Sequence, residues 1–444
     1  MKKLKPNTQV PLTNGQTAKV KSLLGEGGQG TVYQVTIDGK DYAMKIYTKK
    51  PKKNFVDNLE ENIRKGSPTP HFLWMKWMVK TPALIGYVMD LRPKDYVDFS
   101  KFLMAKARFS SWSAMTNAAL RITYAFRELH RKGLSYQDLN DGNFFFNPKT
   151  GDVLICDNDN VAPADTNLGI KGKCRYMAPE VVMGKSNPNN LSDYFSLSVV
   201  LFMLFFNNHP FDGKRVSSVP CMNDAIEREV YGINPIFICS PTDDRNRPVR
   251  GVHQNIINRW GLFPKFFQDA FVKAFSNDLI HDKNKRMSDN EWVGIISQLR
   301  SQTVQHTCGY ETFIDIAAPK ATCFNCGKEV TMPLTLKIGS HRTILYPRVK
   351  IYANQVSSSA DMFQEVGEVV VNKNNPNVWG VSNHSKDSWR VTLPNGQKLD
   401  VPQGKGFPIY KDVQIEFSAG KIGKIEGNII KKINPNNNHK FLSL

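Results

Sequence analysis

Hydrophobic and polar positions alternate through the first quarter of the chain. "KVKSLLGEGGQGTVYQVTIDGKDYAMKIY" reads as strand, Gly-rich turn, strand, Asp38-Gly39 hairpin and strand. The period then changes. In "NFVDNLEENIRKG" the apolar residues Phe55, Leu59 and Ile63 recur every four positions, which predicts a helix stopped by Gly66. Two strand-like runs follow, "HFLWMKWMV" and "ALIGYVMDL". From about Asp98 to Arg300 helical spacing dominates, and "SAMTNAALRITYAFRELHRKG" ends in Lys132-Gly133 as a helix C-terminus should. After residue 304 the texture changes to a short Cys/His module, then strand-like segments broken by Asn, Pro and Gly, then the polar tail "NPNNNHK". The pattern predicts a multi-domain α+β chain: a β-rich lobe at 15–92, a helical lobe at 93–303, a metal-binding module at 304–330, an all-β module at 331–433 and a polar tail at 434–444.

Length and composition fit this division. At 444 residues the chain exceeds one compact core. The longest apolar run, "FSLSVVLFMLFF" from Phe195 to Phe206, falls short of the roughly 20 residues a membrane span needs, so it predicts a buried helix. "MKKLKPNTQVPLTNG" turns polar at once, with no secretory apolar region. Seven cysteines, an odd count, argue against a disulfide framework and for a reducing compartment, the cytoplasm. The net charge of +19 is spread along the chain. It allows acidic partners, including nucleic acid, and is equally compatible with a solvated basic surface.

The chemistry concentrates in the first 300 residues. "GEGGQGTV" matches G-x-G-x-x-G-x-V at Gly25, Gly27, Gly30 and Val32. A dinucleotide fold would place a helix after such a loop, whereas "TVYQVTI" is a strand. A Gly-rich loop between two strands is the protein-kinase arrangement, in which backbone N–H groups cover phosphates. Lys45 in "YAMKIY" sits on a strand where the V-A-I-K lysine pairs the α/β-phosphates. Glu60 or Glu61 is expected to anchor it from the helix, and Glu60 is preferred because Ile63 then packs three residues on. "YVMDLR" carries the expected hinge, with Met89 at its gate and Asp90 and Leu91 offering backbone groups to a base; Leu24, Val32, Ala43 and Phe145 are expected to enclose the ring. In "YQDLNDGNFF" Asp138 and Asn143 keep the spacing of H-R-D-x-x-x-x-N, and Asp157 closes the run "VLIC" where D-F-G places its metal ligand. Asp138 would orient the acceptor hydroxyl and take its proton, while Asn143 and Asp157 would hold Mg²⁺. "YMAPE" supplies Glu180, with Arg286 as its expected buried partner, and Asp193 is expected to brace the catalytic loop.

Over residues 15–300 the chain resembles the eukaryotic-type Ser/Thr protein kinases found in bacteria. The resemblance implies a two-lobed kinase fold and ATP-dependent, Mg²⁺-assisted phosphoryl transfer to protein Ser/Thr hydroxyls, with autophosphorylation. "SYQDLNDGNFF", "ICDNDNVAP" and the Cys-rich module narrow the likeness to kinases of tellurium-resistance-associated cassettes. These are encoded with a von Willebrand A protein and a metal-dependent phosphatase, which become expected partners. Competing readings are a catalytically inactive nucleotide-binding scaffold and a nucleic-acid-associated adaptor.

Several letters depart from the family pattern. Tyr136-Gln137 replaces His-Arg, so no cation beside Asp138 waits for a loop phosphate, and Thr166 is the one non-tyrosine hydroxyl acceptor between Asn160 and Tyr176. Loop phosphorylation is therefore not expected to be the on-switch. Asn140 stands where Ser/Thr kinases carry a lysine, and Lys173 is expected to restore that charge at the γ-phosphate. Asn158-Asp159 replaces Phe-Gly; Asp159 is expected to cap the following turn or to add a metal ligand.

Behind the kinase-like region, His306-x-Cys308 and Cys323-x-x-Cys326-Gly327 offer three sulfurs and an imidazole, which suit tetrahedral structural Zn²⁺. The strand-like runs at 331–433, with a Pro394-Asn395-Gly396 turn, suggest a β-sandwich that resembles the forkhead-associated (FHA) domain. The Gly-Arg and Ser-x-x-His pairs by which that family binds phosphothreonine are not found in "KIGSHRTILYPRVKI".

Overall fold

Strands β1 (Gln9–Pro11), β2 (Thr17–Glu26), β3 (Gly30–Ile37), β4 (Lys40–Tyr47), β5 (Met75–Met78) and β6 (Gly86–Asp90) form an antiparallel sheet in the order β1-β2-β3-β4-β6-β5. The computed structural model describes residues 3–166, 168–169, 172–357, 359, 361–417 and 420–427; the expected polar tail lies outside them. The β3–β4 hairpin turns through Asp38 and Gly39, with φ of 46° and 80°, as a two-residue primed turn requires. Period-2 alternation sorts the sheet into two faces. Tyr33, Val35, Met44, Ile46 and Val88 enter one apolar core with Val10, Leu12, Ala18 and Val20. The opposite face carries Val32, Ala43, Lys45, Tyr47, Tyr87 and Met89, which the register pairs as Val32 with Lys45, Lys45 with Tyr87 and Ala43 with Met89.

Helix α1 (Lys53–Lys65) buries Phe55, Leu59 and Asn62 and ends at Gly66, φ 74°. After β7 (Val97–Asp98) and α2 (Phe99–Leu103), α3 (Trp112–Arg131) buries Ala118, Ile122, Phe126 and Leu129 along one stripe, and Leu120 on the far side is buried as well. The chain leaves α3 through Gly133, φ 71°. Short strands β8 (Leu134–Ser135), β9 (Phe144–Phe146), β10 (Val153–Ile155) and β11 (Ala162–Pro163) hold the segments between them, with β9 flanked by β7 and β10, and β8 paired with β11. After α4 (Pro179–Val182), α5 (Asn190–Phe206) contains the long apolar run, buried from Phe195 to Phe206. Its N-terminus is closed by a reciprocal capping box between Asn189 and Ser192. Among the described residues no helix is long and apolar enough to cross a membrane.

The chain divides into two compact units. The first comprises 1–110, 114–260 and 269–293; the second comprises 111–113, 261–268 and 294–444. The second unit is rich in β-structure. Two hairpins, Thr303–Gln305 with Glu311–Phe313 and Ala321–Thr322 with Glu329–Val330, precede two larger sheets. One sheet runs in the order His341–Ile344, Thr335–Ile338, Ile422–Glu426, Gln414–Glu416, Trp389–Thr392, Lys398–Val401; the other runs Lys350–Tyr352, Glu365–Val371, Trp379–Asn383, Gly406–Pro408. Leu336, Val391, Ile415 and Ile425 from the first meet Ile351, Val369, Val381 and Phe407 from the second in one core. Gly367 is required there, since a Cβ would stand 2.7 Å from the ring of Trp389. The Pro394-Asn395-Gly396 stretch forms the expected turn, with Gly396 at φ 84° and Leu393 N–H donating to Gln397 O at 2.9 Å. "VKIYANQV" is not one strand: it becomes a helical turn at Ala353–Val356, because Gln355 accepts from Tyr352 N–H at 3.0 Å and closes the turn.

Candidate active site

The Gly-rich loop joins β2 to β3, with Gly27 N–H donating to Gly30 O at 2.9 Å. A Cβ at Gly30 would lie 2.5 Å from Ile46 O, so the loop base presses on β4, whereas Gly25 and Gly27 face open space. Leu24 is exposed at the loop margin, and Val32, Ala43 and Met89 lie on the chemical face of the sheet described above. The side chain of Asp90 is tied to Lys76 at 2.9 Å, and Leu91 follows it, half-buried. Phe145 sits on β9 with the Arg92 guanidinium 3.9 Å from its ring centre, so a ring expected against a base meets a cation.

Lys45 projects from this face and is 5% exposed. Its Nζ lies 2.9 Å from Asp159 Oδ2, 3.3 Å from Asp157 Oδ1 and 3.5 Å from Gln29 Oε1. The expected anchor Glu60 is exposed, and Glu61 pairs with Arg64 and Lys65 instead. The helical period explains this: with Phe55, Leu59 and Asn62 turned inward, both glutamates fall off the inward face. The counter-charge is Asp159, fully buried, which also accepts from Tyr47 OH. Asp159 lies inside the turn Asn158–Asn160 and makes no cap, since its Oδ2 accepts from Lys45 and Tyr47 and its Oδ1 has no partner; that expectation is corrected, because a buried cation needs an anion and Asp159 supplies it.

The catalytic-loop residues converge on the same cleft. Asn143 donates from Nδ2 to Asp138 O at 2.8 Å, and its own carbonyl accepts from Cys156 N–H at 2.8 Å, linking the loop to the strand end that carries Asp157. That bond commits the amide NH₂ of Asn143 to protein and leaves its oxygen as the ligand end. Asp138 is half-buried and accepts from Asn140 at 3.1 Å and Asn160 at 3.4 Å. Burial pushes its carboxyl up to about 6, with the Asp157 charge adding to the rise and the Asn140 hydrogen bond opposing it. Gln137 and Asp157 both hold left-handed backbone, φ 70° and 54°, strain of the kind found where side chains must be aimed.

Asp193 accepts from Tyr136 N–H at 2.7 Å and so braces the loop from α5. His130 stands between Asp193, at 3.1 Å, and Asp289, at 2.8 Å, a buried bridge that sequence reasoning missed. Glu180 and Arg286 form a two-pronged ion pair at 2.8 and 2.6 Å, and Arg286 also donates to Leu191 O and Ile280 O. Lys173 reaches the catalytic loop but ends on Asp141 Oδ1 at 2.8 Å. Gln137 Nε2 donates to Thr166 O at 2.9 Å. Asn158 donates to Leu73 O and Ile155 O, both at 2.9 Å, so backbone bonds hold it where the family has an apolar ring. Asn58 and Asn62 both donate to Val161 O, at 2.8 and 2.7 Å. Asn62 was legible in principle, because a polar residue on an apolar stripe must find a partner when buried.

In the second unit, the ligand atoms of His306, Cys308, Cys323 and Cys326 all lie within 4.8 Å of one another. His306 Nδ1 is 3.2 Å from Cys308 Sγ and 3.5 Å from Cys326 Sγ, and Cys308 and Cys323 sulfurs are 3.5 Å apart. These separations fit a tetrahedron around an ion bound at about 2.3 Å by sulfur and about 2 Å by nitrogen.

The family model "Protein kinase domain" matches residues 18–293. The chain belongs to the protein kinase domain family. Serine/threonine-protein kinase SCH9 of Candida albicans is 27% identical over 211 residues, covering 44% of this chain and 26% of the relative. Serine/threonine-protein kinase AtPK1/AtPK6 of Arabidopsis thaliana is 27% identical over 206 residues, covering 44% and 43%. Beta-adrenergic receptor kinase 1 of Didelphis virginiana is 30% identical over 206 residues, covering 43% and 29%. The chain thus spans less than half the length of each of these relatives.

Proposed function

We propose that the chain is an ATP-dependent protein kinase that transfers the γ-phosphate to Ser/Thr hydroxyls of proteins. The convergence of Lys45, Asp138, Asn143 and Asp157 on one cleft carries this reading. Asn143 and Asp157 would hold Mg²⁺, which neutralises phosphate charge when bound. Lys45 pairs the α/β-phosphates, and Asp138 orients the acceptor hydroxyl and accepts its proton. A cleft of about 420 Å³ lined by Ser100, Asp141, Lys173, Arg175, Tyr176 and Met203 adjoins the catalytic loop and suits an extended acceptor segment. Incubation with labelled ATP, Mg²⁺ and a protein acceptor tests the reading: label should appear on Ser or Thr with the wild type and not with Asp157→Ala. Absence of label from both would leave the inactive scaffold as the account.

The four-ligand cluster supports a structural Zn²⁺ that closes the two small hairpins; with all four positions taken by protein, it leaves no place for a substrate. The strand order of the two larger sheets and their shared core support an FHA-like β-sandwich. Its role here is docking, with the von Willebrand A protein and the phosphatase of the resembled cassettes as cytoplasmic partners; co-purification from cells expressing all three tests it.

A further inference from the structure

Lys45 is buried and must have a counter-charge, since an unpaired ammonium is strongly disfavoured away from water. The geometry points to Asp159 as the positioning residue that holds Lys45 ready for the nucleotide, in place of a glutamate on α1. This inference rests on the kinase reading above.

Four observations carry it. Asp159 Oδ2 is 2.9 Å from Lys45 Nζ, and the carboxylate has no exposure to solvent. Tyr47, two residues beyond Lys45 on the same strand face, donates its hydroxyl to that same oxygen and fixes the carboxylate. The other oxygen, Oδ1, is buried with no hydrogen-bond partner, so no backbone or capping donor competes with Lys45 for the carboxylate. Glu60 is exposed, Glu61 is engaged with Arg64 and Lys65, and Asp57 is engaged with Lys53, which leaves α1 without a charge for Lys45.

The consequence is a different wiring of the site. Asp157 and Asp159 lie on one tight turn, so the metal ligand and the lysine anchor move as a unit. Helix α1 is tied to that segment by neutral amides, Asn58 and Asn62, on Val161 O. Orientation of Lys45 therefore does not depend on a glutamate carried in or out by α1.

The test compares wild type with Asp159→Asn and with the double variant Glu60→Gln/Glu61→Gln, and uses Asp157→Ala as the control for kinase chemistry. Asp159→Asn should lower kcat about 100-fold, the scale of a misplaced catalytic group, and raise KM for ATP while leaving KM for the protein acceptor unchanged. It should also weaken binding of a non-hydrolysable ATP analogue in the presence of Mg²⁺, a readout that needs no turnover. The double glutamate variant should bind and react as the wild type does. Wild-type-like kinetics of a folded Asp159→Asn, or a gain in activity from it, would overturn the inference. So would a loss in the double glutamate variant, whose surface positions make it the informative arm if Asp159→Asn does not fold. An inactive wild type would instead remove the kinase reading itself.

Discussion

Gln137 donates its side-chain amide to the main-chain carbonyl of Thr166 at 2.9 Å. This neutral bond ties the segment after the turn that carries Asp157 to the catalytic loop at the position where the family pattern has an arginine that awaits a phosphate. Because Thr166 takes part through its backbone, Thr166→Ala keeps the bond. It should retain wild-type kcat, measured on protein from which all phosphate has been removed. Gln137→Ala removes the bond, worth about 1 kcal/mol, and should lower kcat about fivefold. Loss of activity in Thr166→Ala with ATP binding intact would show that the loop is switched by phosphate after all.

With Asp138 as the proposed base, the reaction should show a pH limb displaced from that of an ordinary carboxylate. Burial holds its carboxyl at about 6, so the base is protonated as the pH falls through that value. In a log(kcat/KM) profile, which reports the free enzyme, activity should drop below about pH 6 rather than near 4. Asn140 donates to Asp138 Oδ1 and favours the charged form. Asn140→Ala should therefore move the limb to higher pH, and an unmoved limb would separate it from Asp138.

The His130 bridge predicts how stability responds to alkali. Burial opposes the imidazolium, but the hydrogen bonds and charges of Asp193 and Asp289 more than reverse this and raise its pKa from 6.5 to about 9. A group whose folded pKa is raised stabilises fully below its unfolded value and loses that contribution as the pH climbs through the folded one. Unfolding free energy should therefore fall between about pH 6.5 and pH 9, by up to on the order of 3 kcal/mol at the alkaline end, and the thermal unfolding midpoint should fall with it. His130→Gln should flatten this limb. A wild-type curve that is already flat across the window would mean the imidazole is neutral in the folded protein.

Side chains placed by local spacing are legible in the sequence, and partners brought together by burial are not. Asp138 and Asn143 keep a fixed interval on one loop, and Glu180 and Arg286 are joined by a pattern of letters, so local order announced them. The partner of Lys45 depends on which face of α1 turns inward. The pattern Phe55, Leu59, Ile63 suggested one face, but the structure buries Asn62 and leaves Ile63 only half-buried, a rotation of part of a turn that carries Glu60 out to solvent. From its neighbours alone Asp159 reads as a cap or a metal ligand, because nothing in its own segment reveals a lysine 114 residues away. The same limit hid His130, whose two carboxylates come from α5 and from Asp289, far along the chain. In the second unit the alternation of strands is plain, while the helical turn at Ala353–Val356 is held by contacts from distant segments as well as its own, with Gln355 bonded to the backbone of Tyr352 and to Ser301 and His341.

Zinc removal offers the sharpest check on the second unit. Val304, Ile314, Cys323 and Val330, from the two small hairpins and their flanks, enter the same apolar core as the larger sheets, so closing those hairpins around an ion should stabilise the whole unit. Metal analysis of the purified chain should find zinc in proportion to protein, and a chelator should lower the unfolding midpoint of this unit while leaving the ATP-dependent shift of the kinase domain in place. Cys323→Ser should reproduce the chelator effect without added chelator, because a buried hydroxyl replaces a thiolate ligand. An intact midpoint after complete metal removal would mean that the hairpins hold themselves closed by packing, and that the three sulfurs and the imidazole converge without an ion to bind.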